Sequence, residues 1–143
     1  MSTIFTKIIN REIPAYIISE NSKFIAFLDI NPLSIGHTLV VPKKEIDYFF
    51  DLDEDFLTEI LLFSKKISKA IKKVTRCNRV GLSVIGLEIP HAHLHLVPLN
   101  EMNEYSYYHI YWMEGGLYDS LDVVSYEGML YQEIYNSASL KVS

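Results

Sequence analysis

The sequence predicts an α+β fold: an antiparallel sheet carrying two helices. Two strand-like runs, residues 16–18 and 24–27, are separated by a turn too short for a helix to cross, as a hairpin requires. Helical spacing occurs in two stretches that do not alternate regularly with strands, which argues against a parallel sheet. A third strand-like run, His91-Ala92-His93-Leu94-His95-Leu96-Val97, places three imidazoles on one side and apolar side chains on the other.

Taken in order, residues 4–10 have the spacing of a short helix, with Ile4, Ile8 and Ile9 apolar, and Pro14 stops it by biasing Ile13 toward extended geometry. The hairpin follows, turning at Glu20-Asn21-Ser22. Residues 31–36 form a loop, and 37–41 form a strand that stops at Pro42. A long helix is expected over 53–74. Leu57, Ile60, Leu61, Ile67, Ile71 and Val74 share one stripe, acids stand at its start and lysines near its end, as the helix dipole favours. The lysine-rich face reads as a solvated surface. Residues 80–85 form a strand, 86–88 a turn, and 91–97 the histidine strand. No internal repeat is visible.

With 143 residues the chain makes one domain with a real core, and at 49% apolar content disorder is not expected. No apolar run is long enough to span a bilayer, and the first residues lack the pattern of a signal peptide. Cys77 is the single cysteine, in keeping with a cytoplasmic location. The net charge of −5 is uneven: residues 1–98 carry +1 and residues 99–143 carry −6. No basic footprint marks a nucleic-acid partner, and no membrane partner is expected. The segment 99–143 is acidic and holds eight of the ten tyrosines. Within it, 107–112 has some strand character.

Three alternating imidazoles admit three readings. They can bind zinc, given a fourth ligand from elsewhere, for which His37, Glu88 and Asp29 are the candidates. They can instead supply a nucleophilic imidazole with neighbours that orient it and hold phosphate charge. Or the strand is half-exposed and inert. The residues alone leave all three open.

The run His91-Ala92-His93-Leu94-His95-Leu96-Val97 resembles the His-x-His-x-His-x-x signature of the histidine triad (HIT) superfamily of nucleotide hydrolases and transferases. Ile4-Phe5-Thr6-Lys7-Ile8-Ile9 with Glu12-Ile13-Pro14-Ala15, Ala26-Phe27-Leu28-Asp29-Ile30-Asn31-Pro32, and Gly36-His37-Thr38-Leu39-Val40-Val41-Pro42-Lys43-Lys44 resemble its Hint-like branch in order and spacing. The resemblance covers residues 3–98, taken as the HIT domain, with 99–143 as an atypical C-terminal segment. It implies a HIT-like antiparallel sheet with two helices, forming a homodimer. It implies hydrolysis at the α-phosphate of a purine nucleoside phosphoramidate or related nucleotide, with no cofactor and no metal. The alternatives are a dinucleoside polyphosphate hydrolase and a non-catalytic nucleotide-binding regulator.

By the same resemblance, His93 is the nucleophile. His91 and His95 orient it and contact phosphate or leaving group, and His37 stands behind them in a polar relay. Asp29 accepts from the ribose hydroxyls, and Ile4, Phe5, Ile8, Phe27 and Ile30 line the purine pocket. Two departures stand out. Glu88 occupies the position of a small hydroxyl on the leaving-group side, and Ser83 is the nearest polar residue where an amide is expected. The segment beyond Pro98 does not match the family; Trp112 is the candidate there for closing the site.

Overall fold

The computed structural model describes residues 2–101; the possible strand at 107–112 and Trp112 lie outside the described residues. Helix α1 spans Ile4–Ile9, strands β1 and β2 span Ile17–Glu20 and Phe24–Leu28, and β3 spans Thr38–Pro42. A single 3₁₀ turn, Phe49–Asp51, precedes helix α2 (Glu54–Thr75), and β4 (Arg79–Ser83) and β5 (Leu94–Leu99) follow. The strands form one antiparallel sheet in the order β1-β2-β3-β5-β4. The fold is thus the expected α+β one, and no helix among the described residues is long and apolar enough to cross a membrane.

Alternation along the strands divides the interior into two layers. Phe24, Ala26 and Leu28 of β2, Val40 of β3, and Leu94 and Leu96 of β5 pack with Ile60, Ile67, Ala70 and Ile71 of α2. Ile25 and Phe27 of β2, with Leu39 and Val41 of β3, pack on the opposite face against Phe5 and Ile8 of α1. Helix α2 is capped by Asp53, whose side chain accepts from the Phe56 amide, and ends at Arg76 in the left-handed conformation. Gly36, at φ +97°, passes close to α2: a Cβ there would stand 2.8 Å from Thr75 Cγ2 and 3.3 Å from Pro98 Cγ. Only glycine tolerates both the dihedral and the approach, and the next residue, His37, is thereby carried into the interior.

The histidine run departs from expectation. β5 begins at Leu94, so His91 and His93 precede the strand rather than belong to it. Pro90 offers no amide hydrogen, the His91 amide turns back to the Ile89 carbonyl at 2.8 Å, and the Ala92 amide bonds Ile46 O at 2.6 Å. The ladder to β4 reaches only as far as Ser83 opposite His95. The alternation of sides survives all the same, since Ala92 joins Leu94 and Leu96 in the α2 layer.

Candidate active site

On the α1 face lies a cavity of about 420 Å³. α1 contributes Ile4, Phe5 and Ile8, the next turn Ile13, Pro14 and Ala15, the end of β2 and its loop Phe27 through Asn31, and β3 Leu39. Residues 85–89 form the opposite wall, and His93 and His95 stand at the polar end. All six expected purine-pocket and ribose residues therefore converge: Ile4, Phe5, Ile8, Phe27, Asp29 and Ile30. Phe5, Ile8 and Phe27 double as core, while Ile4 and Ile30 are exposed at the mouth. Leu39 and, apart from Glu88, the wall 85–89 were not foreseen. Leu39 was detectable in principle, because it pairs with His95 across the β3–β5 ladder and so shares its face.

The three triad rings are buried, so a half-exposed inert strand is not what forms. His93 Nδ1 lies 2.7 Å from the His91 carbonyl oxygen, which can only accept; Nδ1 therefore carries the proton and Nε2 the lone pair. Phe5 meets the His93 ring edge-on at 5.0 Å. Burial, the largest influence, pushes the His93 pKa below 6.5 against the opposing pull of the His91 carbonyl. The ring is neutral near pH 7, as attack on phosphorus requires.

Behind it, His37 Nδ1 accepts from the Leu33 amide at 3.0 Å, and His37 Nε2 lies 2.9 Å from His95 Nδ1. A neutral His37 must then donate from Nε2 to His95, which fixes the His95 proton on Nε2. Burial, reinforced by the neighbouring imidazoles, holds His37 well below 6.5 and His95 down to about 4. His37 thus stands behind His95 as its hydrogen-bond donor.

His91 differs from expectation. Its Nε2 donates to the Pro42 carbonyl at 2.8 Å and its Nδ1 bonds the Thr3 hydroxyl at 2.7 Å. Both nitrogens are occupied in a fully buried ring that does not line the cavity. It acts on His93 through its backbone carbonyl and makes no ring contact with the cavity where phosphate would lie. Ser83 also stands outside the lining. It faces His95 across the ladder, with its buried hydroxyl lacking a hydrogen-bond partner among the described residues.

Asp29 accepts from the Asn31 amide at 2.9 Å, and its second oxygen lies 3.6 Å from His37 Nε2, beyond hydrogen-bond range. Burial raises its pKa to about 6, and the Glu88 carboxylate adds to the rise. Asp29, His37 and His95 bring three potential ligand atoms within 4.8 Å of one another. The His37–His95 nitrogens already share a proton at 2.9 Å, however, so an ion there would have to displace it. Glu88 is exposed on the cavity wall. Among the described lining residues none is Lys or Arg.

A family model for the HIT domain matches residues 10–102. An uncharacterised HIT-like protein of Methanocaldococcus jannaschii is 39% identical over 105 residues, covering 68% of this chain and 79% of its own length. The adenosine 5'-monophosphoramidase HNT1 of Saccharomyces cerevisiae is 36% identical over 96 residues, covering 66% of this chain and 61% of its own. Among solved structures, a hypothetical histidine triad nucleotide-binding protein of Sulfolobus tokodaii superposes with a TM-score of 0.75 at 32% identity, covering 94% of this chain and 91% of that one.

Proposed function

The chain belongs to the HIT domain family, and from that premise we propose that it hydrolyses purine nucleoside phosphoramidates or related nucleotides at the α-phosphate, releasing the nucleoside monophosphate. One observation carries the reading: His93 is held neutral, with its proton fixed on Nδ1 by the His91 carbonyl, beside a cavity of nucleoside size. The purine lies against Ile4, Phe5, Ile8, Phe27 and Ile30, and Asp29 accepts from the ribose hydroxyls.

His93 Nε2 attacks phosphorus. A phosphorus–imidazole bond forms as the bond to the leaving group breaks, and the leaving amine departs with a proton taken from solvent water. His95, bearing its proton on Nε2, is the neighbour able to donate a hydrogen bond to the phosphoryl group, and His37 keeps it in that tautomer. Water then cleaves the nucleotidyl-imidazole. No step uses a metal.

The names of three yeast relatives, all adenosine 5'-monophosphoramidases, support the choice of phosphoramidates. So does the lining: a site with Asp29 and Glu88 and no Lys or Arg among its described residues suits a single phosphate charge better than a polyphosphate. Glu88 is assigned to the leaving-group side. A homodimer is part of the proposal, and Leu82, exposed on the edge strand β4, supports it; light scattering of the purified chain checks it.

The test is steady-state turnover of an adenosine phosphoramidate, an acyl adenylate and a diadenosine polyphosphate, each with and without excess chelator. Fastest turnover of the phosphoramidate, undiminished by chelator, is expected. Preference for the polyphosphate would overturn the substrate assignment, and binding without any turnover would make the protein a nucleotide-binding regulator. Activity lost to chelator and restored by zinc would reinstate the metal reading.

A further inference from the structure

Thr3, Thr6, Glu45 and His91 meet beneath the cavity in a cluster to which the mechanism above assigns no role beyond the His91 carbonyl. Thr3 caps α1 by accepting from the Thr6 amide at 3.1 Å. Its hydroxyl also lies 2.7 Å from His91 Nδ1. His91 Nε2 must donate, because its partner is the Pro42 carbonyl. In the neutral ring Nδ1 is then an acceptor, and the Thr3 hydroxyl is its donor. The Thr6 hydroxyl donates in turn to Glu45 Oε1, which also accepts the Thr3 amide at 3.3 Å. With the ring neutral, each donor in this chain has a matching acceptor.

We propose that Thr3, braced by Thr6 and Glu45, is a positioning residue for the triad: its hydroxyl fixes the ring and tautomer of His91, and thereby the His91 carbonyl that orients His93. The role rests on the hydrolase reading above. It also joins two functions in one helix end. α1 presents Ile4, Phe5 and Ile8 to the nucleoside cavity, and its cap holds the nucleophile's support. Phe5 adds to the link, with its ring edge-on to both His91 and His93 at 5.7 and 5.0 Å. Placement of the nucleoside wall and aim of the nucleophile are therefore set by one structural unit.

Capping and positioning are separable by substitution. Thr3→Asp keeps a good N-cap but replaces a donor by an acceptor, so His91 Nδ1 must gain a proton to satisfy it. Thr3→Val removes both functions, and Thr3→Ser keeps both. The readout is the ring-nitrogen NMR spectrum of ¹⁵N-histidine protein, together with kcat and KM for an adenosine phosphoramidate. The wild type should show His91 as the neutral Nε2–H form. Thr3→Asp should convert His91 to the doubly protonated form and lower kcat by about 10- to 100-fold, with KM changed much less. Thr3→Ser should restore both. Wild-type His91 resonances and wild-type kcat in Thr3→Asp would overturn the proposal and leave Thr3 a helix cap. The nitrogen spectrum reads the Thr3–His91 bond with or without turnover. An inactive wild type therefore counts against the hydrolase reading, and the spectrum still decides this one.

Discussion

On one face of the sheet the 22-residue helix α2 covers Leu94, Leu96, Val40 and Ala26 completely; on the other the 6-residue helix α1 leaves a cavity of about 420 Å³. Both faces are built from the same strands by the same two-residue alternation, so composition alone does not explain the difference. Length of cover does. A helix of six residues spans about 9 Å, too little to seal a five-stranded sheet, and the uncovered end is where His93, His95 and Asp29 stand. The covered face is apolar except for hydroxyls, those of Ser64 and Thr38, that donate to backbone carbonyls. The uncovered face brings buried imidazoles to the edge of a space that a substrate can enter, which lowers their pKa values while keeping them within reach.

The contrast breaks most sharply at His93. His93→Ala removes the only triad ring placed to offer a lone pair to the cavity while leaving both apolar layers intact. Loss of a covalent nucleophile costs several orders of magnitude in rate, of the order of 10⁴ or more. The variant should bind AMP with little change by calorimetry and barely turn over. Turnover near the wild-type rate would remove His93 from the mechanism.

A matched pair of leucines measures the two covers directly. Leu94 and Leu39 lie on adjacent strands, Leu94 in the α2 layer and Leu39 at the cavity. Leu94→Ala opens a void in a closed layer and should cost about 2–5 kcal/mol. Leu39→Ala enlarges a space that already exists, so the cavity contribution is small and about 1–2 kcal/mol is expected. Urea midpoints at unchanged m-value check both. Equal losses would mean that the α1 face is as tightly sealed as the other.

How much of this was legible beforehand follows the same division. The α2 face rests on local periodicity: the acids at its start, the alternation of Ala92, Leu94 and Leu96, and the stripe from Leu57 to Val74 read correctly within a residue or two, except that Leu61, expected on the stripe, turns out to the surface. The site is another matter. Strand pairing breaks off before Leu94 because Ile46 O captures the Ala92 amide, a contact between residues far apart in sequence. His91 turns its ring toward Thr3, 88 positions away, and no spacing rule announces that bond. Cavity residues such as Leu39 and Ile89 look like ordinary core. The 3₁₀ turn Phe49–Asp51 was missed because three residues carry no period. The alternating histidines and Asp29 stood out in the sequence itself, their roles came only from resemblance, and the tautomers of the rings follow only from three-dimensional hydrogen bonding.

Asp29 tests the cost of placing charge on the open face. A carboxyl whose folded pKa is raised from 3.8 to about 6 holds its proton more tightly folded than unfolded. Its contribution to stability is therefore greatest below pH 3.8 and is lost as pH rises through about 6. The shift corresponds to the order of 2–3 kcal/mol. Asp29→Asn, which keeps the acceptor for the Asn31 amide, should raise stability above pH 6 by up to that amount. It should also flatten the pH dependence of the urea midpoint between 4 and 6. The same variant should weaken AMP more than 2′,3′-dideoxy-AMP, because the dideoxy ligand has no diol to lose. A destabilised variant that treats the two ligands alike would contradict both the burial cost and the ribose role.

Glu88 carries the smallest expected effect, because it is exposed and water screens it. Its charge nevertheless reaches inward, since it helps raise the pKa of Asp29. A carboxylate on the cavity wall repels a departing phosphate and attracts an ammonium group. Replacing it with the small hydroxyl usual in the family should shift selectivity toward anionic leaving groups by a few-fold, well short of the roughly 4 kcal/mol that two charges 4 Å apart would exchange at an effective dielectric of about 20. Glu88→Ser should therefore lower the ratio of kcat/KM for a cationic phosphoramidate to that for a diadenosine polyphosphate. It should also move the titration of Asp29, followed by its carboxyl carbon resonance, to lower pH. The two readouts separate two positions for the charge. A shifted Asp29 titration with an unchanged substrate ratio places Glu88 against the ribose end and away from the leaving group. If neither moves, the acid belongs to the outer surface, and the open face owes its selectivity to the absence of Lys and Arg among the described lining residues alone.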